Sequence, residues 1–281
     1  MKRAFGNLLF AACVAAAAAG CGRVHSERVE WTTMGTVAAL QARVSSGADA
    51  GFRAAVAKVK TVCGETERLF NAYDPASELS RLAPMSETEI LSACDPAARL
   101  CYEAAFEMAA ATGGAFNPRW RGPGTLDLGA IAKGGAVDRA AAEIADIPAD
   151  ALVDIGGNVK SVRGTWRTGV KSPSGTGFAA VVELHEGEAL ATSATYYRGS
   201  HIYDGRTGKP VANGVASVTV LCRSAMLADA LSTALFALGP GEGRRLLEEC
   251  FGAAGVSVLW IFDDGRVEVH PASASARFRS P

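Results

Sequence analysis

The chain lacks most of the features that mark whole classes of protein. Past residue 20 there is no uninterrupted run of the ~18 apolar residues that a membrane-spanning helix needs, so no transmembrane helix is expected in its body. It has no CxxC and no Cys/His cluster at zinc-ligand spacing, which excludes the common structural zinc modules. Neither GxGxxG nor GxxxxGK[ST] occurs, so the two familiar phosphate-binding loops are absent. There is no internal repeat and no run of like charges. With a net charge of −1, 20% charged and 49% hydrophobic residues, the composition fits neither a disordered chain nor a nucleic-acid binder. What remains is 281 residues able to bury a large core in one or two domains.

The first twenty residues read as a targeting segment. Lys2 and Arg3 precede an apolar run from Leu8 to Ala19, which closes on Ala18-Ala19-Gly20-Cys21. That ending resembles a bacterial lipoprotein cleavage box, in which Cys21 carries the lipid; a plain secretory signal is the alternative. The expected layout is a signal peptide over 1–20, an anchor linker over 21–28, one domain over 29–270 and a loose tail over 271–281. A lipid anchor at Cys21 would hold the domain on a membrane, facing the periplasm or cell exterior. Of the other cysteines, Cys13 lies in the signal, and the odd set Cys63, Cys94, Cys101, Cys222 and Cys250 argues against a full disulfide framework. One bridge could form in an oxidising compartment; the rest are expected as small buried apolar residues.

Three stretches carry candidate chemistry. Leu126 to Ala140, LDLGAIAKGGAVDRA, reads as a short strand, a small-residue turn and a helix. Asp127 ends the strand and Lys133 opens the helix, so backbone amides and the helix dipole could face a phosphorylated ligand; an ordinary strand–turn–helix fits equally. In a helix running from Ser224 to Leu238, Asp229 and Thr233 are four residues apart on one face. They could supply two oxygen ligands to a hard cation such as Mg2+, or sit at a solvated margin. His201 lies between a short strand and a turn rich in Asp, Arg, Thr and Gly, where reactive side chains are displayed.

The remaining pattern predicts helices from Phe52 to Phe70 and from Pro96 to Ala111. Val37 to Val44 reads as the first long strand, with Met34-Gly35-Thr36 as a turn before it. Short strands at 151–155, 159–163, 166–170, 179–184 and 189–191 suggest an antiparallel meander, followed by a strand at 215–222 and a closing hairpin around Asp264-Gly265.

Taken together, the pieces resemble the ApbE family, the FAD:protein FMN transferases. The matching stretches are MGT at Met34, FNAYDPASELSRL from Phe70, GGAFNP from Gly113 and LDLGAIAKGGAVD from Leu126. LVDIGGNV from Leu152, ATS at Ala191, HIYDGRTGKPV from His201 and SVTVLCRSAMLADALSTALFALG from Ser217 follow in the family's order. The resemblance implies an α+β class, a single T-fold-related domain with antiparallel strands and packed helices. It implies that Met34, Tyr73, Ala115, Phe116, Asn117, Asp127, Lys133 and Tyr203 contact the flavin nucleotide. Asp229, Thr233 and the backbone oxygen of Ala130 would hold Mg2+, with Ala132 a less favoured neighbour, and His201 would be the general base. The reaction implied is Mg2+-dependent transfer of FMN from FAD to a threonine or serine hydroxyl of an acceptor protein, a membrane redox subunit, with release of AMP. An Mg2+-dependent FAD pyrophosphatase and a non-catalytic flavin-binding lipoprotein are the alternatives. The chain departs from the family in a shortened segment between Pro118 and Leu126, in Asn117 where aspartate is common, in Ala194 where glycine is expected and in Gly205 where proline is expected.

Overall fold

The computed structural model describes residues 24–45, 49–195 and 202–281. Cys21 with the signal segment, and His201, lie outside the described residues. Two long strands, β1 (Val24–Thr33) and β2 (Thr36–Ser45), open the fold and lead into helix α1 (Asp49–Phe70). Short helices α2 (Glu78–Leu82) and α3 (Glu87–Ala93) precede α4 (Pro96–Ala111) and α5 (Ala132–Glu143). Strands β3 (Asp150–Ile155), β4 (Asn158–Arg163), β5 (Trp166–Lys171), β6 (Phe178–Leu184) and β7 (Ala189–Ala194) follow. After them come β8 (Tyr203–Asp204), β9 (Lys209–Pro210), β10 (Val215–Cys222), helix α6 (Ala225–Cys250), β11 (Ser257–Phe262), β12 (Val267–His270) and β13 (Phe278–Arg279).

The main sheet runs β1-β2-β3-β4-β7-β10-β11-β12, with antiparallel pairing at every junction. Period-two alternation sends Ala38, Leu40, Ala42, Val153 and Ile155 toward α1 and α5. Val218, Val220, Val258 and Trp260 pack with α4 and α6 on the same side. The opposite face carries Leu152, Val159, Leu190, Leu221, Leu259 and Ile261, and a smaller β13-β6-β5 sheet covers them with Trp166, Val170, Val182 and Leu184. Strand β10, buried along its whole length, is sandwiched between the two layers. The α+β class with antiparallel strands and packed helices therefore stands, while the simple meander does not. β5 and β6 leave the order, and β4 pairs with β7, because their apolar faces are needed as a lid on the second side of the sheet.

Other boundaries shift for local reasons. Val24 to Arg28, read as linker, form the first half of β1, paired with the outer half of β2. The expected loose tail is bound: residues 272–277 form a 3-10 turn, β13 pairs with β6, and Phe278 is buried. Leu126 to Leu128 is not a strand, because the Asp127 carboxylate turns back to accept the Gly129 amide at 2.9 Å and competes with a ladder. Helices α2 and α3 were not anticipated, although Ser77 caps one and Ser86 with Glu89 forms a full capping box on the other. The five described cysteines are all free, four of them buried. Burial pushes the Cys63 and Cys222 thiols up to about 11 and Cys101 up to about 12, so they remain protonated apolar side chains.

The tail is held by Arg277, which donates to both carboxylate oxygens of Glu188 at 3.1 and 2.6 Å. Burial alone would raise the Glu188 carboxyl, but the guanidinium and the His185 amide hold it below the usual carboxylate range. A depressed folded pKa contributes stability that is complete above the unfolded value and is lost as pH falls through the folded one. Arg277→Ala should therefore expose the tail to limited proteolysis at neutral pH, whereas wild type should become susceptible only on acidification below that range.

Candidate active site

The centre of the candidate site is the crossing of α5 and α6. Both faces are lined by small residues, and at Gly134 the approach is so close that a Cβ would stand 2.2 Å from the Ala225 carbonyl oxygen and 2.8 Å from Asp229 Cβ. Two carboxylates cap the helices across this contact. Asp138 of α5 accepts from the Ala225 and Met226 amides at 3.0 Å each and from Ser224 Oγ at 2.8 Å, satisfying the amino end of α6. Lys160 Nζ neutralises it from β4 at 2.7 Å. In return Asp229 of α6 accepts the Gly134 amide in the first turn of α5 at 3.0 Å, where Ile131 provides no side-chain cap.

This second contact rearranges the helix entrance. In an uninterrupted helix the Gly134 amide would bond to the carbonyl four residues earlier, that of Ala130. Because it turns to Asp229 Oδ2, no hydrogen bond from the described residues reaches the Ala130 carbonyl. Lys133 Nζ donates to the Gly129 carbonyl at 2.5 Å and lies 3.4 Å from the same Asp229 oxygen. Among the described residues every bond to the Asp229 carboxylate falls on Oδ2, which leaves Oδ1 without a protein donor. Asp229 is 6% exposed, so it is not at a solvated margin. Thr233, one turn on, sits 3.1 Å from Ser193 Oγ of β7. A carboxylate oxygen, a free carbonyl and a hydroxyl are hard oxygen donors that fit Mg2+, which completes its shell with water and phosphate. At the positive end of α5 the Gly134 amide is taken by the Asp229 carboxylate.

A second group lies alongside. The Asp127 carboxylate, besides holding Gly129, accepts from Trp120 Nε1 at 3.3 Å and pairs with Arg121 at 3.1 Å. The Trp120 indole stacks on Tyr203, with ring centroids 4.2 Å apart. Thus the short 119–125 segment folds inward over two expected nucleotide contacts, and Arg119 fastens it by donating to the carbonyls of Ala83, Met85 and Thr125. Two departures from the family pattern turn out to be coupled. Asn117 Nδ2 donates to the Gly205 carbonyl at 3.1 Å, which an aspartate cannot do, and the Gly205 amide donates to the Ala115 carbonyl at 3.0 Å, which a proline cannot do. A Cβ at Gly205 would stand 2.4 Å from both Asn117 Cβ and the Gly114 carbonyl oxygen. Ala115 and Phe116 are buried, so their part in this wall is chiefly its shape. Ala194 is accommodated as an ordinary buried strand residue opposite Ser217.

Met34 and Tyr73 stand at the far end of α1, and among the described residues no hydrogen bond or ring contact joins them to the other groups. Met34 has φ 50° in the two-residue turn between β1 and β2, a conformation that favours glycine. Glu67 of α1 pins it by accepting from the Met34 amide at 3.3 Å and from Thr33 Oγ1 at 3.2 Å. Tyr73, in the turn after α1, is a large ring that is 87% exposed. Sequence reasoning missed Trp120, Arg121, Asp138 and Ser193. Asp138 had a signal, a carboxylate beside buried Val137 in a helix rich in small residues, but the helix it caps lies far along the chain.

Fold and site define an α+β domain that presents hard oxygen donors and a lysine at a helix crossing beside an aromatic and carboxylate wall, the equipment of a domain for phosphorylated nucleotides. Comparison with known proteins narrows this class. The family model described as "ApbE family" matches residues 120–259. The chain is 39% identical over 160 residues to the FAD:protein FMN transferase of Rhodobacter capsulatus, covering 52% of this chain and 30% of that one. It is 37% identical over 166 residues to that of Treponema pallidum (strain Nichols), covering 50% and 45%. These matches thus span less than half the length of either relative. Flavin transferase ApbE from Vibrio cholerae superposes with a TM-score of 0.74 at 24% identity, covering 91% of this chain and 100% of that one. The apo flavinyl transferase ApbE of Pseudomonas stutzeri gives 0.71 at 23%, covering 90% and 97%. Residues 120–259 thus match the ApbE family, and the fold is that of the solved flavin transferases.

Two measurements check the geometry. Gly134→Ala should lower the unfolding free energy by about 1–3 kcal/mol or more in a denaturant titration, since neither helix backbone can yield to a Cβ. Gly205→Pro should destabilise similarly, and adding Asn117→Asp should not restore it, because the pair lacks both bonds across the turn.

Proposed function

We propose that this protein is an FAD:protein FMN transferase that moves FMN from FAD to a threonine or serine hydroxyl of an acceptor protein. The reading is carried by one observation: the diversion of the Gly134 amide to Asp229, which leaves the Ala130 carbonyl, Asp229 Oδ1 and the Thr233 hydroxyl as oxygen donors beside Lys133. The curated relatives with this activity support it. In the transfer, the acceptor oxygen attacks the phosphorus of the FMN half, the bond to the AMP oxygen breaks, and AMP leaves with the electron pair. Mg2+ bound by these donors would offset the charge that develops on the phosphates. The Lys133 ammonium, held between Gly129 and Asp229, adds a second positive group at the same place. Asp229 orients the α5 entrance and the donor set at once. Met34, Tyr73, Asn117, Asp127 and Tyr203, with the backbone of Ala115 and Phe116, would hold the flavin nucleotide. His201 would take the proton from the attacking hydroxyl. Cys21 would carry the lipid that keeps the domain at a membrane, where a membrane redox subunit could serve as acceptor; among the described residues no helix is long and apolar enough to cross one.

The test is chromatography of FAD, FMN and AMP after incubating the protein with FAD, an acceptor-containing membrane extract and either Mg2+ or EDTA. AMP should appear only with Mg2+, and flavin should be found on protein. Free FMN would instead identify a pyrophosphatase, and FAD retained with no AMP a flavin-binding protein. Asp229→Ala should abolish the Mg2+-dependent turnover. His201→Ala should keep FAD bound while slowing transfer by ~10²–10⁴-fold.

A further inference from the structure

Three hydroxyl groups and one carbonyl form a chain between β7 and α6. Ser232 Oγ lies 2.9 Å from the Asp229 carbonyl oxygen, Ser193 Oγ lies 2.8 Å from Ser232 Oγ, and Thr233 Oγ1 lies 3.1 Å from Ser193 Oγ. Ser232 is fully buried. Each hydroxyl has a single proton to give, and a carbonyl can only accept. The direction of every bond follows from those two facts. Ser232 must give its proton to the Asp229 carbonyl, so in the bond with Ser193 it can only accept. Ser193 therefore donates to Ser232, and in its bond with Thr233 it too can only accept. The Thr233 proton is thereby drawn toward β7, and the lone pairs of its oxygen are turned away from the strand.

We propose that Ser193 is a positioning residue for the cation site: through its hydroxyl it fixes the Thr233 rotamer and points its proton inward, so that the Thr233 oxygen is presented as an acceptor. The inference rests on the Mg2+ reading of Ala130, Asp229 and Thr233. Without Ser193 the Thr233 hydroxyl has no partner among the described residues and is free to turn its proton toward the cation. Outer-shell partners that orient metal ligands typically contribute 10–100-fold in metal affinity.

The test is titration of the full-length, FAD-bound protein with Mn2+ as a spin-active substitute, counting free ion by electron paramagnetic resonance. Ser193→Ala should weaken Mn2+ binding by about 10-fold, while flavin fluorescence titration in EDTA shows unchanged FAD affinity. Ser193→Thr, which keeps a hydroxyl on a residue suited to a strand, should restore the wild-type value. Thr192→Val is the control. It removes a hydroxyl pair with Thr219, 2.8 Å apart at the neighbouring position of the same strand, and should leave Mn2+ affinity unchanged. If Ser193→Ala does not fold, Ser193→Cys keeps the shape with a weaker donor and should show the same loss in smaller measure. Wild-type Mn2+ affinity in a folded Ser193→Ala or Ser193→Cys protein would overturn the inference alone. A wild-type protein that binds FAD but no Mn2+ would overturn the metal reading and the inference with it.

Discussion

Two carboxylates exchanged across one helix crossing organise this molecule. Asp138 of α5 closes the amino end of α6, and Asp229 of α6 closes that of α5, so each helix supplies what the other's first turn lacks. Unsatisfied first-turn amides buried at a helix contact would be costly, and a charged acceptor is among the strongest partners for them. The exchange works only at very short range. Gly134 sets that range by allowing the α6 backbone to come within reach of a side chain that would otherwise stop short. Stability and chemistry are thereby joined at one point, because the residue that caps α5 is also the carboxylate that faces Lys133 and the Ala130 turn.

The surrounding layers can be seen as support for this point. The eight-stranded sheet carries α5 and α6 side by side on one face, and β10, buried throughout, lies at the join of the two layers. Ser193 of β7 reaches up to the Thr233 turn of α6, while Lys160 of β4 reaches to Asp138 of α5. Both helices are therefore registered against the sheet by polar side chains as well as by apolar packing. The smaller sheet on the far side seals the apolar residues that the long strands expose there, and takes the C-terminal residues into its edge.

The wall formed by Trp120, Tyr203 and Asp127 shows how a shortened segment can be accommodated. Residues 119–125 bring an indole onto Tyr203 and a guanidinium onto Asp127, and Arg119 ties them to the loop between α2 and α3. The paired changes at Asn117 and Gly205 belong to the same adjustment. A side-chain donor and a bare glycine let the 113–117 and 203–208 turns touch through backbone bonds.

Several elements were legible from the amino-acid sequence alone because their causes are local. Periodicity and the Asp-Pro exit placed α1, the proline start and glycine exit placed α4, and the Ser224 cap opened α6. The glycine and proline at 239 and 240 divide that helix where the sequence breaks it. Asp229 and Thr233 could be put on one helical face by counting, and the eight ordered motifs pointed to the family. Tertiary structure alone decided the rest. Whether Asp229 is buried or solvated depends on a glycine ninety-five positions earlier. The departure of β5 and β6 from the main sheet depends on which apolar face needs covering, and the binding of the tail depends on a glutamate that only folding brings to Arg277. Spacing can state which side chains share a face. It cannot state what stands opposite that face, and the chemistry of this site is set by what stands opposite.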